Sequence, residues 1–147
     1  MIEQEKQLLL ADLCARLPYN VRIRHYVNDT DFYSNPLMTY DIDQLENNKA
    51  IIKPYLRPMS SMTEEEKKEL LILLVGEDSI SYFKVENDGI TNTSENIQFG
   101  HNWQYYWLNF SNENISLYVD WLNSHHFDYR GLIKKGLAIE APEGMYK

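Results

Sequence analysis

Along residues 3–17 the apolar positions Leu9, Leu10, Leu13, Cys14 and Leu17 recur on one face of a 3.6-residue period, which predicts an amphipathic helix. Pro18 ends it, because the residue before a proline is pushed out of the α region. The period then falls to two. From Val21 to Val27, Val21, Ile23 and His25 alternate with Arg22, Arg24 and Tyr26, the pattern of a half-buried strand. Asn28 to Pro36 carries Asn, Asp, Ser and Pro and reads as a hairpin-type loop. Leu37 to Ile42 reads as the returning strand, and Asp43 to Lys49 as a polar connection.

Ala50 to Met62 is extended and punctuated by Pro54 and Pro58, so it cannot be a helix interior. A short edge strand followed by a loop that packs Tyr55, Leu56 and Met59 is expected there. Thr63 to Val75 has the clearest helix signature. Thr63 with Glu66 forms a capping box, Glu64 and Glu65 suit the positive end of the dipole, and Gly76 is a natural stop. Leu70, Leu71, Leu73, Leu74 and Val75 are expected to bury its second half. Ser79 to Val85 reads as a strand, Asp88-Gly89 as a turn, and Ile90–Thr93 as the returning arm of a hairpin. Asn92 to Asn102 is polar, and the aromatic block from His101 to Phe110 fits strand and helix equally. Ser111 can cap a helix over Asn112 to Ser124 that buries Ile115, Val119 and Leu122, with Leu117 and Trp121 beside them. The sum is an α+β chain, one domain over residues 1–147. About three helices pack on a small antiparallel sheet of three to five strands.

Composition narrows the function classes. The chain has 147 residues, 13% aromatic, with eleven tyrosines and three tryptophans. Tyr and Trp carry large apolar area with a polar handle, which suits wet interfaces as well as cores. Net charge is −8, which argues against nucleic-acid or anionic-membrane binding that needs a basic face. Cys14 is the single cysteine, so no intramolecular disulfide forms, and among leucines it reads as a small buried apolar group. The acidic, polar start lacks the pattern of a secretory leader, and no apolar run approaches a membrane span. A cytoplasmic protein with no membrane partner is expected.

Three segments, LLLADLCARLPYNV (8–21), IKPYLRPMSSMTEEEKKE (52–69) and WLNSHHFDYRGLIKKGLAIEAPEGMYK (121–147), resemble a group of short proteins of gut bacteria of the Bacteroides group and their phages or integrated elements. That group has no established activity. The resemblance implies a context, a gut bacterial cytoplasm and a phage or mobile-element origin, and transfers no site residue.

The segment from Trp121 onward concentrates the candidate chemistry. His125, His126 and Asp128 are potential metal ligands, but without the spacing or cysteines of a structural zinc site. Asp128-Tyr129-Arg130-Gly131 could clamp an anion through Arg130. The same residues also read as a structural turn. There Asp128 accepts backbone hydrogens, Arg130 pairs with a carboxylate, Gly131 takes a left-handed conformation and one histidine packs on an aromatic. Trp103, Tyr106 and Trp107 could stack a ring, yet the block lacks the positive charge of a nucleic-acid platform. Ser60-Ser61 lacks a nucleophile elbow, and no glycine-rich phosphate loop is present. No cofactor or metal is implied. The leading expectation is a non-enzymatic module that binds another protein, one version being an inhibitor of a host defence nuclease. The alternative is a nucleotide or small-molecule binding module, or a minor enzyme, using His125, His126, Asp128 and Arg130.

Overall fold

The computed structural model describes residues 1–78, 83–86, 89–92, 97–100 and 112–146. Their contacts divide the chain into two compact units, Met1–Pro58 with Asn123–Lys147, and Met59–Leu122. The fold is α+β, with four α-helices among the described residues rather than three.

In the first unit, α1 (Glu3–Arg16) is followed by a 3-10 turn at Leu17–Tyr19. The buried face of α1 is not the one the leucines suggest. It carries Lys6, Leu9, Asp12, Leu13 and Arg16, while Leu10 is half-buried and Cys14 is exposed. Polar residues can line a buried face when each finds a partner. Lys6 Nζ donates to the Glu46 carbonyl at 2.6 Å and to Asn48 Oδ1 at 3.0 Å, at the carbonyl end of the second helix. A cation there meets unsatisfied carbonyls and the negative end of the dipole. Arg16 Nε donates to Asp12 Oδ2 at 2.8 Å, with both side chains fully buried.

β1 (Arg22–Tyr26) runs antiparallel to β2 (Phe32–Pro36) in an unbroken register from Arg22↔Pro36 to Tyr26↔Phe32. The expected loop over 28–36 is therefore shorter. Asn28 Oδ1 accepts from Thr30 N at 2.9 Å and Asp31 N at 2.8 Å, which closes the turn in four residues and starts the returning strand at Phe32. The strand expected at Leu37–Ile42 is instead the approach to α2 (Thr39–Glu46), which also takes up most of the expected polar connection. Leu37, Asp41 and Leu45 lie four apart and are all buried. A buried aspartate in the middle of that stripe disguises its helical period.

β3 (Ile51–Leu56) pairs antiparallel with β1 on one side and parallel with the two-residue β7 (Ile139–Glu140) on the other. The sheet order is β2-β1-β3-β7, so β3 is an inner strand and not an edge. Pro54 is tolerated there because pairing with β7 begins only at Tyr55, one residue beyond the missing N–H. The core gathers Leu9 and Leu13 from α1, Ile23 from β1, Leu45 from α2, Ile52 and Leu56 from β3, and Leu132 and Leu137 from the segment before β7.

In the second unit, a 3-10 turn at Met59–Ser61 precedes α3 (Glu64–Val75). Its capping box is formed as the sequence expects: Glu66 N donates to Thr63 Oγ1 at 3.1 Å and Thr63 N to Glu66 Oε1 at 3.0 Å. Gly76, at φ +84°, ends it. Leu70, Leu71 and Leu74 are buried, but Leu73 is 41% exposed because it faces away from that stripe. β4 (Phe83–Glu86), β5 (Gly89–Asn92) and β6 (Ile97–Gly100) form a three-stranded antiparallel sheet. A hairpin forms as expected, but Gly89, expected in the turn with Asp88, already pairs with Glu86, so the returning arm begins one residue earlier, and β6 replaces part of the polar stretch expected over Asn92–Asn102. α4 (Asn112–Ser124) buries Tyr118, Trp121 and Leu122, whereas Ile115 and Val119 are half-buried and Leu117 is exposed. Tyr118, three residues before Trp121 and four before Leu122, completes the apolar stripe that an aliphatic-only reading misplaces. The aromatic block with Trp103, Tyr106 and Trp107, and the capping position Ser111, lie outside the described residues.

Candidate functional site

The turn after α4 is built from its backbone outward. His126 takes a left-handed conformation at φ +64° and Gly131 another at φ +71°, so the chain reverses twice within six residues. Between them Phe127 makes a parallel bridge to Arg57. Arg57 N donates to the His126 carbonyl at 2.7 Å, and Asp128 N to the Arg57 carbonyl at 2.8 Å. The Arg57 guanidinium lies over the Phe127 ring at 4.2 Å. Asp128 spends both carboxylate oxygens on backbone: Oδ1 accepts from Leu132 N at 2.8 Å and Oδ2 from Ile133 N at 2.9 Å.

The candidate residues of this turn are adjacent in the chain but go to separate partners: His125 to Ser124, His126 to Tyr146, Asp128 to backbone amides and Arg130 to Asp12. His126 stacks on Tyr146 at 3.7 Å between ring centroids, and His125 Nδ1 lies 3.0 Å from Ser124 Oγ. Burial, then the charges of Arg16, His125 and Arg57, lower the His126 imidazole to about 4. Tyr146 donates its hydroxyl to the Tyr55 carbonyl at 2.7 Å and accepts from Arg22 N at 2.9 Å. Burial raises its phenol to about 12. Arg130 Nε approaches Asp12 Oδ1 at 3.3 Å as an ion contact without hydrogen-bond alignment, and the guanidinium groups of Arg16 and Arg130 each lie 5.3 Å from the Tyr129 ring centroid. Buried atoms without a hydrogen-bond partner remain at Arg16 Nη1, Tyr129 Oη and His126 Nδ1. Among the described residues no three His, Cys, Asp or Glu side chains are grouped to hold a metal ion.

A second concentration of functional groups lies at the β2 edge of the sheet. His25, buried on β1, places Nδ1 2.8 Å from Asp41 Oδ1. Asp41 Oδ2 also accepts from Met38 N at 2.9 Å and from Asn35 Nδ2 at 3.3 Å, so one carboxylate ties β1, β2 and the start of α2. The imidazole is stacked with Tyr33 at 4.6 Å and near-parallel to Tyr40 at 6.1 Å. Burial, then Asp41 and Tyr40, raise the Tyr33 phenol above its ordinary value. On the opposite face of the sheet Arg24 lies 4.0 Å over the Phe32 ring and donates to Tyr55 Oη at 3.0 Å and Tyr26 Oη at 3.3 Å.

The result is an edge with aromatic rings on both faces. Phe32, Tyr33 and Tyr40 are 47%, 42% and 56% exposed, and Val27 and Met38 beside them are more than half exposed. The sequence hides this feature because Phe32 and Tyr33 sit in a stretch with the composition of a loop. The pairing of an alternating strand with an Asn-x-x-Asp turn was the available signal. A separate cavity of about 280 Å³ is lined by Leu9, Ile52 and Leu137 with Glu5 and Lys53 at its rim. Glu5 is already engaged there, accepting from Ile2 N at 3.0 Å at the start of α1. Comparison of the chain with protein-family models, with curated proteins and with solved structures finds no match.

Proposed function

We propose that this chain is a non-enzymatic protein-interaction module whose contact surface is the aromatic edge formed by β2 and the start of α2. The observation that carries the reading is the exposure of Phe32, Tyr33 and Tyr40 around one sheet edge. Rings of this kind, held by Arg24 and His25, present large rigid area at small entropic cost and are enriched at protein interfaces. The other cluster, the turn after α4, holds the fold together. Asp128 serves backbone amides, and His126 is shielded by Tyr146.

The net charge of −8 supports a basic partner, since complementary charge speeds encounter. Under the resemblance noted above, the setting is a gut bacterial cytoplasm and the chain belongs to a phage or mobile element. A host defence nuclease, with its basic nucleic-acid channel, is then the partner of choice. The test is affinity capture with wild-type protein and with a Phe32→Ser/Tyr40→Ser variant at two salt concentrations. A basic partner retained by the wild type, lost by the variant and weakened by salt supports the reading. Equal retention by both proteins refutes it.

A second reading, a nucleotide or small-molecule site at the α4 turn, draws on the buried unpartnered atoms at Arg16 and Tyr129. A thermal-shift screen with nucleotides separates the two, because a ligand of the native state raises its stability.

A further inference from the structure

We propose that the partner adds an extended, arginine- or lysine-bearing strand to the open edge of β2. This inference rests on the interaction-module reading and specifies its chemistry. Among the described residues β2 pairs with β1 alone and ends the sheet. Natural edges are usually blunted by lysine, by a bulge or by proline within the strand. Here the register from Arg22↔Pro36 to Tyr26↔Phe32 has no bulge, no lysine lies in the strand, and the one proline is its last residue. Leu37 N bonds to the Val21 carbonyl and Val27 N to the Asp31 carbonyl, so in this register Tyr33 and Asn35 face β1 while Phe32 and Ser34 turn their backbone N–H and C=O to the open edge, the geometry of strand addition.

Charge selects the incoming strand. Residues 27–48, which hold β2 and α2, contain Asp29, Asp31, Asp41, Asp43 and Glu46 and no Lys, Arg or His. Asp29, Asp31, Asp43 and Glu46 are exposed, while Asp41 is buried against His25. The neighbouring cation Arg24 is engaged with Tyr55, Tyr26 and Phe32 on the far face. An added strand would place alternate side chains beside Tyr33 and Tyr40 on one face and Phe32 on the other, following the pleat. Guanidinium groups stack on tyrosine faces, and carboxylates nearby complete the match. Two copies pairing edge to edge would instead join two carboxylate-rich segments, so a basic partner strand is the better occupant.

The probe is a synthetic eight-residue peptide alternating Arg and Val. Its comparators are a Glu/Val twin and an Arg/Val peptide N-methylated at alternate residues, which keeps the charge but cannot extend a ladder. Hydrogen exchange of the outward-facing Phe32 and Ser34 amides and fluorescence titration are read with the full chain. The expected result is binding of the Arg/Val peptide with at least about tenfold slower exchange at these amides. The twin and the N-methylated peptide should bind at least about tenfold more weakly. Equal binding of the N-methylated peptide, absence of binding up to about 1 mM, or protection elsewhere than β2 overturns strand addition. So does sedimentation showing that the protein alone dimerises with β2 protected. If strand addition fails while Phe32→Ser/Tyr40→Ser still abolishes capture of a native partner, the aromatic surface stands and only its mode is wrong. If that variant also captures the partner normally, the interaction reading itself falls.

Discussion

Arg16 Nη2 donates a hydrogen bond of 2.7 Å to the carbonyl of Phe127, joining residues 111 positions apart inside the protein. The same guanidinium holds Asp12 through Nε at 2.8 Å. One buried cation thus ties the last turn of α1 to the turn after α4. Arg16→Met should therefore be severe. It strands the fully buried Asp12 carboxylate with only the longer Arg130 contact, and breaking a buried pair from one side costs about 3–5 kcal/mol. Urea unfolding of the single variant and of Asp12→Leu/Arg16→Met checks this. The double variant should recover part of the loss, and a mild Arg16→Met would show that the pair contributes little.

Arg130→Ala should be gentler than Arg16→Met. The Arg130 side chain is 28% exposed and its contact with Asp12, at 3.3 Å, lacks hydrogen-bond alignment. A loss of about 1 kcal/mol is expected, as for a partly solvated pair. Equal losses for the two arginines in the same urea series would contradict the assignment of Arg16 as the principal tie.

The His126 imidazole sits at about 4 against an ordinary 6.5. In the unfolded chain it takes up a proton near pH 6.5, whereas the folded chain resists until about 4. The unfolded state therefore binds more protons in that window, and stability falls as pH drops from about 6.5 towards about 4. The size should be on the order of 2 kcal/mol after allowance for solvent screening. His126→Asn keeps a residue tolerant of φ +64° and removes the titration. Denaturant midpoints at pH 7 and pH 4.5 should drop less in this variant than in the wild type. Parallel drops would place the sensitivity elsewhere.

What could be read from the sequence follows the range of the interaction concerned. The Thr63–Glu66 box spans four residues, and its expected and observed forms agree. The Asp128–Gly131 turn is equally local, so its backbone acceptors and left-handed glycine are foreseeable. α1 shows the opposite case. Its buried face depends on Lys6 meeting Asn48 and on Arg16 meeting Phe127, partners that no periodicity discloses. α2 was hidden because Asp41, the middle of its buried stripe, looks like solvent-facing polarity until His25 supplies its partner. β7, two residues long, carries no period at all and exists only through β3.

Thr63→Ala should lower stability by about 1 kcal/mol, the usual effect of losing an N-cap oxygen. Thr63→Ser should restore it, because the hydroxyl is what Glu66 N requires. Thermal unfolding of the two variants checks this, and a Ser variant as weak as Ala would mean that the methyl group, not the oxygen, matters.

The proposed interaction edge depends on a carboxylate that is buried away from its surface. Asp41 accepts from His25 Nδ1 at 2.8 Å, Met38 N at 2.9 Å and Asn35 Nδ2 at 3.3 Å, and is 1% exposed. Asp41→Ala removes all three acceptor contacts and leaves the buried His25 donor unpaired, at about 1–3 kcal/mol, while the part-buried Met38 and Asn35 donors can turn to water. Asp41→Asn keeps one oxygen but turns an NH₂ towards Met38 N–H or the imidazole, so it should lie between the wild type and alanine. Both variants should loosen Tyr33 and Tyr40, whose rings stack with His25. Hydrogen exchange is the decisive measurement. Amides of β2 and the first turn of α2 should exchange faster in Asp41→Asn while those of α3 keep their wild-type rates. Uniform acceleration across both units would show that Asp41 supports the whole fold and not the edge alone.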